Sequence, residues 1–192
     1  MNTNYDKIKS DLLDFGKRNG ACIGQYQRLY KTESIEDVIS VVKDNFEWCI
    51  KYKDFADVLM ANREQFAEHR IWINQNVEIQ EGVGFLLVTE GSINATSYDT
   101  STINATSCDT STINATSYGT STINATSYGA STINATSYGT STINAKSCDT
   151  STMIIRTLNI ECEVNDRSIA RYIYDNRIVI ADTSVTVEQY HK

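Results

Sequence analysis

The chain has 192 residues, room for one domain or two small ones, and carries 24 acidic against 17 basic side chains for a net charge of −7. That balance argues against a nucleic-acid-binding face, which needs a basic stripe. Residues 81–152 hold five acids and one base, too sparse for a carboxylate mimic of DNA. The five cysteines (Cys22, Cys49, Cys108, Cys148, Cys162) show no CxxC spacing and form no cluster with His69 or His191, so neither a metal site nor a cofactor is expected.

An odd cysteine count fits a reducing, cytoplasmic setting. The N-terminus, MNTNYDKIKSDLL, has no apolar core of signal-peptide length. No apolar run approaches the roughly 20 residues of a membrane span. Export without a signal, or delivery inside a phage particle, stays compatible with this text. Proline is absent. A β-ladder wants every N–H as a donor and so disfavours it, but that reason does not extend to helices.

Residues 1–80 read as a helical head. Ile8, Leu12 and Phe15 lie on one face of a helix running from Thr3 or Asn4 to Arg18, with Asn19-Gly20 as its stop. Ala21 to Tyr30 reads as a turn and a short helix. A further helix starts at Ser34, where Ser34 and Asp37 form a capping box, and carries the stripe Ile35, Val38, Val42, Phe46, Cys49 and Ile50. The next runs from Asp54, as N-cap, to Glu68, with Phe55, Val58, Leu59 and Phe66 inward. Ile71 to Ile73 reads as a short strand, Asn74 to Asn76 as a turn, and Val83 to Thr89 as a strand. Glu68-His69 is an acid–base pair only in sequence, since adjacent helical residues point apart. Trp48 and Trp72 suit a core or interface, and Cys22 and Cys49 suit small buried positions.

Residues 81–152 contain one decapeptide written six times, from SINATSYDTS to TINAKSCDTS. Such a period marks a repeat architecture, in which each unit covers the next. Ile93, Ile103, Ile113, Ile123, Ile133 and Ile143 form one column. Ala95, Ala105, Ala115, Ala125, Ala135 and Ala145 form a second, and both are expected to face inward. The Asn column between them is expected to face outward. Tyr98, Tyr118, Tyr128, Tyr138, Cys108 and Cys148 form another column, each followed by Gly or Asp as a turn residue.

Three readings of the array are open. Each decapeptide is one two-sided coil rising about 4.8 Å; or each pentapeptide is one side of a four-sided coil of 20 residues; or Ser/Thr/Asn-rich text of this kind forms no solenoid. Cut as STINA and TSYGT, the array resembles the pentapeptide-repeat family. That family places a small residue two positions before a central Leu or Phe, as Ser101 precedes Ile103 and Thr116 precedes Tyr118. The resemblance implies the four-sided coil, with the Tyr column inside. Family members prefer Asp or Asn just before the centre, where this chain has Thr or Ser. In either coil Cys108 and Cys148 are too far apart for a disulfide.

Asn-Ala-Thr recurs five times as a formal glycosylation sequon, read here as a coincidence of composition. Thr-Ser-Thr recurs as well. Stacked, Thr100 with Thr102, Thr110 with Thr112, Thr120 with Thr122 and Thr140 with Thr142 would make a flat double rank suited to ice or a polymer.

Residues 153–192 continue as strands: Met153 to Leu158, Ile160 to Val164, Ile169 to Tyr174, Arg177 to Ala181 and Ser184 to Glu188. Their returning charges, among them Arg167 and Arg171, suit a capping face. The expected fold is α+β: a small helical N-terminal domain (1–80) capping a short β-solenoid (81–152), closed by irregular β coils (153–192). This layout resembles repeat proteins of gut bacteria and their phages or mobile elements, a resemblance that implies no activity. The expected role is a non-enzymatic structural or interaction protein. Its partner would be a protein, a polymer or another copy, with no nucleic acid, membrane or metal. The alternatives are an ice- or polymer-binding solenoid, and an enzyme or regulator housed in the head.

Overall fold

The computed structural model describes residues 3–156, 160–164, 167–174, 177–182 and 185–190. The chain divides into two compact units, Met1–Ile73 and Asn74–Lys192.

The first unit holds α1 (Thr3–Arg18), α2 (Ile23–Tyr30), α3 (Ile35–Asp44), α4 (Phe46–Cys49), α5 (Asp54–Ala61), α6 (Arg63–Glu68) and β1 (Ile71–Ile73). Ile8, Leu12 and Phe15 of α1 are buried, as their spacing predicts. The helix stops where Gly20 takes a left-handed φ of 69°. The Ser34–Asp37 capping box is formed: Asp37 N donates to Ser34 Oγ at 3.1 Å, and Ser34 N to Asp37 Oδ2 at 3.2 Å. These bonds, led by one from the Glu33 backbone, hold the Asp37 carboxyl below the usual carboxylate range.

Two expected helices are each broken into two. The helix from Ser34 breaks at Asn45, and the one from Asp54 breaks at Asn62. In both cases the asparagine amide turns back to the carbonyl four residues earlier, Asn45 to Val41 at 2.8 Å and Asn62 to Val58 at 2.9 Å. A helix end leaves such carbonyls needing donors, and a local side chain supplies one. Asn62 is buried and also receives Lys7 Nζ at 3.0 Å. Asp54 does not cap α5. It sits inside the first turn, and its carboxylate accepts from Arg18 and Asn19 at 3.0–3.2 Å. Cys49 is buried, but Cys22 is exposed, because it lies at the N-cap of α2 outside the packed stripe. Phe15 centres the aromatic core, 5.6 Å from Trp48 and 5.4 Å from Phe55.

In the second unit the chain runs β2 (Val77–Ile79), β3 (Val83–Val88), β4 (Ser92–Ser97), β5 (Thr102–Ser107), β6 (Thr112–Ser117) and β7 (Thr122–Ser127). It continues as β8 (Thr132–Ser137), β9 (Thr142–Ser147), β10 (Thr152–Ile155), β11 (Ile160–Val164), β12 (Ile169–Tyr172), β13 (Arg177–Asp182) and β14 (Val185–Tyr190). Strands β3, β5, β7, β9 and β11 lie side by side in parallel in one sheet. Strands β2, β4, β6, β8, β10 and β12 form the other, also parallel, and β13 and β14 extend it antiparallel.

The array is therefore a β-solenoid, and successive decapeptides alternate between its two sheets. Ile103 pairs with Ile123, and Ile113 with Ile133, so one coil takes two units. Its length is that of the four-sided reading and its two sides are those of the two-sided one. The reason is local: a six-residue strand and a four-residue turn use up a whole decapeptide on one side. The text thus repeats twice per coil. Outside the repeats the step shortens, Ile160 pairing with Ile143 and Ile169 with Thr152. The irregular closing coils expected after Met153 are present, and the last two strands reverse direction.

The core is two columns deep. Ile103, Ile113, Ile123, Ile133 and Ile143 are 0% exposed, the Ala column is buried beside them, and Met153 continues the Ile column against Ile133. Ile93, in the first unit of the array, is only half-buried. Burying each such Ile stabilises by roughly 1.5–3 kcal/mol relative to exposure.

Candidate interaction surface

Each repeat strand turns Ile, Ala and Ser inward and Thr, Asn and Thr outward, as the period of two requires. On the outer face of one sheet Asn144 Nδ2 donates to Asn124 Oδ1 at 2.8 Å, and Asn124 to Asn104 at 2.9 Å. On the other, Asn134 donates to Asn114 at 2.8 Å, and Asn114 to Asn94 at 3.0 Å. The expected outward Asn column is thus two ladders, one per face, each bonded along the solenoid axis. Amide ladders of this kind arise when identical side chains stack at the strand spacing.

The eight threonines of the expected double rank are not brought together. Thr102, Thr122 and Thr142 lie on one sheet and Thr112 on the other. Thr100, Thr110, Thr120 and Thr140 lie in exposed turns rather than in strands. There Thr120 Oγ1 donates to Asp99 O at 2.8 Å, and Thr140 Oγ1 to Gly119 O at 3.2 Å, locking each turn to the one below. The serine between each pair points inward. Two strand faces and two turn columns replace one flat rank.

Those inward serines were not singled out by sequence reasoning. Ser97 Oγ lies 2.8 Å from Ser101 Oγ, and the same pair recurs as Ser107–Ser111, Ser117–Ser121 and Ser137–Ser141. Ser121 Oγ also lies 2.7 Å from Tyr118 O and 2.9 Å from Ser97 O. A sharp turn aims carbonyls into the core, where an unpaired acceptor costs about 1–3 kcal/mol. The hydroxyls meet that need. The signal was present in the text, as a serine fixed on both sides of every turn.

At the turn tips Asp99, Asp109 and Asp149 adopt φ of 51–60°, and Gly119, Gly129 and Gly139 adopt 70–74°. Gly and Asp are interchangeable in the repeat because both tolerate the left-handed region. Coils being 20 residues long, the turn residues sort into two columns: Tyr98, Tyr118 and Tyr138 at one corner, and Cys108, Tyr128 and Cys148 at the other. The first is a stack of parallel rings, with centroids 5.1 and 4.9 Å apart and planes within 8°. It lies outside the core, not inside as the pentapeptide-type coil requires.

In the first sheet the column of Thr106 and Thr126 ends at Lys146, whose ammonium binds Glu163 at 3.0 Å, and that bond raises the ammonium's pKa above its usual value. Arg167 and Arg171 are exposed in the closing coils. In the helical unit Leu12, Phe15, Tyr26, Val42, Trp48 and Cys49 line a cavity of about 200 Å³. Burial pushes the Cys49 thiol up to about 12, so it offers no thiolate at neutral pH. Glu68, at the end of α6, is exposed, and His69 follows it as the C-cap. Among the described residues no three His, Cys, Asp or Glu side chains are grouped to hold a metal ion, and no helix is long and apolar enough to cross a membrane.

The geometry defines a β-solenoid protein with a helical N-terminal unit. No protein-family model matches the chain, no curated protein matches its sequence, and no solved structure matches its fold.

Proposed function

We propose that the chain is a non-enzymatic interaction protein whose solenoid faces dock a partner that is itself repetitive: a polymer, a repeated protein surface or a second copy. The observation that carries this reading is the pair of bonded Asn ladders, each flanked by Thr columns, one on each face of the solenoid. Such a face offers the same donor and acceptor at every rise of about 4.8 Å. A single small ligand gains little from that sameness, whereas a periodic partner gains a contact at every step. Its hydrogen-bonding groups are already ordered by the backbone, which lowers the entropic cost of binding. Kinship with repeat proteins of gut bacteria and their phages, and a reducing setting in which exposed Cys22 stays a thiol, belong to the same proposal.

The test combines sedimentation of the full chain with retention on a panel of insoluble glycans. Self-association or retention is expected, and Asn104→Lys with Asn124→Lys on one face should weaken it by placing cations in the ladder. Retention unchanged in that variant, but lost in variants of the helical unit, would move the activity to the head.

A further inference from the structure

We propose that the Tyr98–Tyr118–Tyr138 corner is a binding site for elongated, planar aromatic cations lying along the solenoid axis. The three rings are parallel within 8° at 4.9–5.1 Å, a spacing imposed by the rise of the coil. Stacking covers the faces of the middle ring and aligns the ring edges and hydroxyls along the outside. Tyr118 is 36% exposed and Tyr138 51%. A rigid flat molecule laid along this edge meets three rings at once. The backbone holds the rungs in line, so binding need not order them. A short or bent molecule reaches only one rung.

The charge around the corner selects cations. Asp99 follows Tyr98 at the tip of the turn and is exposed. Glu78 is exposed on β2, one residue before Ile79, whose carbonyl accepts the Tyr98 N–H at 2.9 Å. Partial burial first, and then the Glu78 carboxylate, raise the Tyr98 phenol above its usual range. The hydroxyl therefore stays neutral at physiological pH, and the negative charge at this end is the carboxylate's. Residues 81–152 carry a single base, Lys146, to oppose it.

The opposite corner is a built-in control, since Cys108 and Cys148 interrupt its aromatic run and leave Tyr128 between them. The site is separate from the strand faces, so its failure leaves the docking proposal standing.

Thioflavin T, a linear benzothiazole cation, is the probe, titrated into the full chain and followed by fluorescence. Saturable binding of one molecule per chain is expected. Tyr118→Ser should raise the dissociation constant about tenfold, the scale of one lost aromatic contact. Tyr128→Ser should leave it unchanged, and Glu78→Gln should weaken binding most at low salt. Serine is close in size to the cysteine the chain itself places at this point of the turn in its second and sixth units. A further variant, C108Y/C148Y, completes the opposite column and should raise the stoichiometry to two. Absence of saturable binding, unchanged binding in Tyr118→Ser with a native circular dichroism spectrum, or a stoichiometry of one in C108Y/C148Y overturns the proposal.

Discussion

The helical unit and the repeat array solve the same problem, pairing buried polar groups, in opposite ways. In the helical unit each site has its own set of partners: Asn62 gathers Val58 O, Asp11 and Lys7, while Asn45 turns to Val41 O and Gln25. In the array the same serine pair closes turn after turn. The first unit is an irregular aromatic core. The second approximates a sum of like steps between neighbouring coils. The difference teaches where a substitution is felt: throughout a small core in the head, but first in one coil and its neighbours in the solenoid.

The largest test of this contrast is core truncation. Phe15→Ala should cost about 3–5 kcal/mol and Ile123→Ala about 2–5 kcal/mol. Both tryptophans lie within Met1–Ile73, so urea unfolding followed by tryptophan fluorescence reads the helical unit. Phe15→Ala should move that transition strongly. Ile123→Ala should move the β signal in circular dichroism instead. Equal movement of both signals by both variants would break the comparison.

Next comes Asn62→Ala, which strips three partners of a buried amide. It should cost about 1–3 kcal/mol and shift the same fluorescence transition. A loss of only a few tenths would mean that the helix break has another cause.

Glycine separates the units more finely. Gly129 has φ 70°, and a Cβ there would sit 3.1 Å from Asp109 O, whereas a Cβ at Gly24 in α2 meets nothing within 4 Å. Gly129→Ala should destabilise by about 1–2 kcal/mol, while Gly24→Ala should stabilise by up to about 1 kcal/mol through helix propensity. Thermal melts of the pair are expected to move in opposite directions.

The smallest effect concerns pH. The Asp37 carboxyl is depressed in the folded chain, so its contribution is full above the ordinary carboxylate range and is lost as pH falls through the folded value. Asp37→Asn should therefore lower stability at neutral pH and flatten the acid limb of a stability-versus-pH curve. A parallel curve for the variant would remove Asp37 from the acid response.

Sequence reading reached what is decided within a few residues. Helix α1, the Ser34–Asp37 box, the Gly20 stop and the inward Ile and Ala columns all follow from local periodicity and turn chemistry. It missed what depends on a side chain's choice between partners. Asn45 and Asn62 sit in apolar stripes that continue past them, so the stripe concealed the break. Strand β2 has three residues and lies between the polar runs 74–76 and 80–82, where turn chemistry masks it. Coil length was the deeper ambiguity. Both sides of the coil carry the same text, so the sequence period gives half the structural one. The ice-type rank failed for the same reason, since consecutive Thr-Ser-Thr motifs go to opposite sheets. The strand ends expected at Leu158 and Ser184 fall outside the described residues.

A unit that makes only half a coil also constrains how such a gene can change length. Insert one decapeptide, and every later strand moves to the other sheet. The strand that ends on Ile155 would leave the row of Ile133 for the row of Ile143, and the later tyrosines would swap corners with the cysteines. Insert two, and every row and corner is kept. Repeat number should therefore be inherited by parity: variants of this chain that retain its closing strands should gain or lose decapeptides in twos.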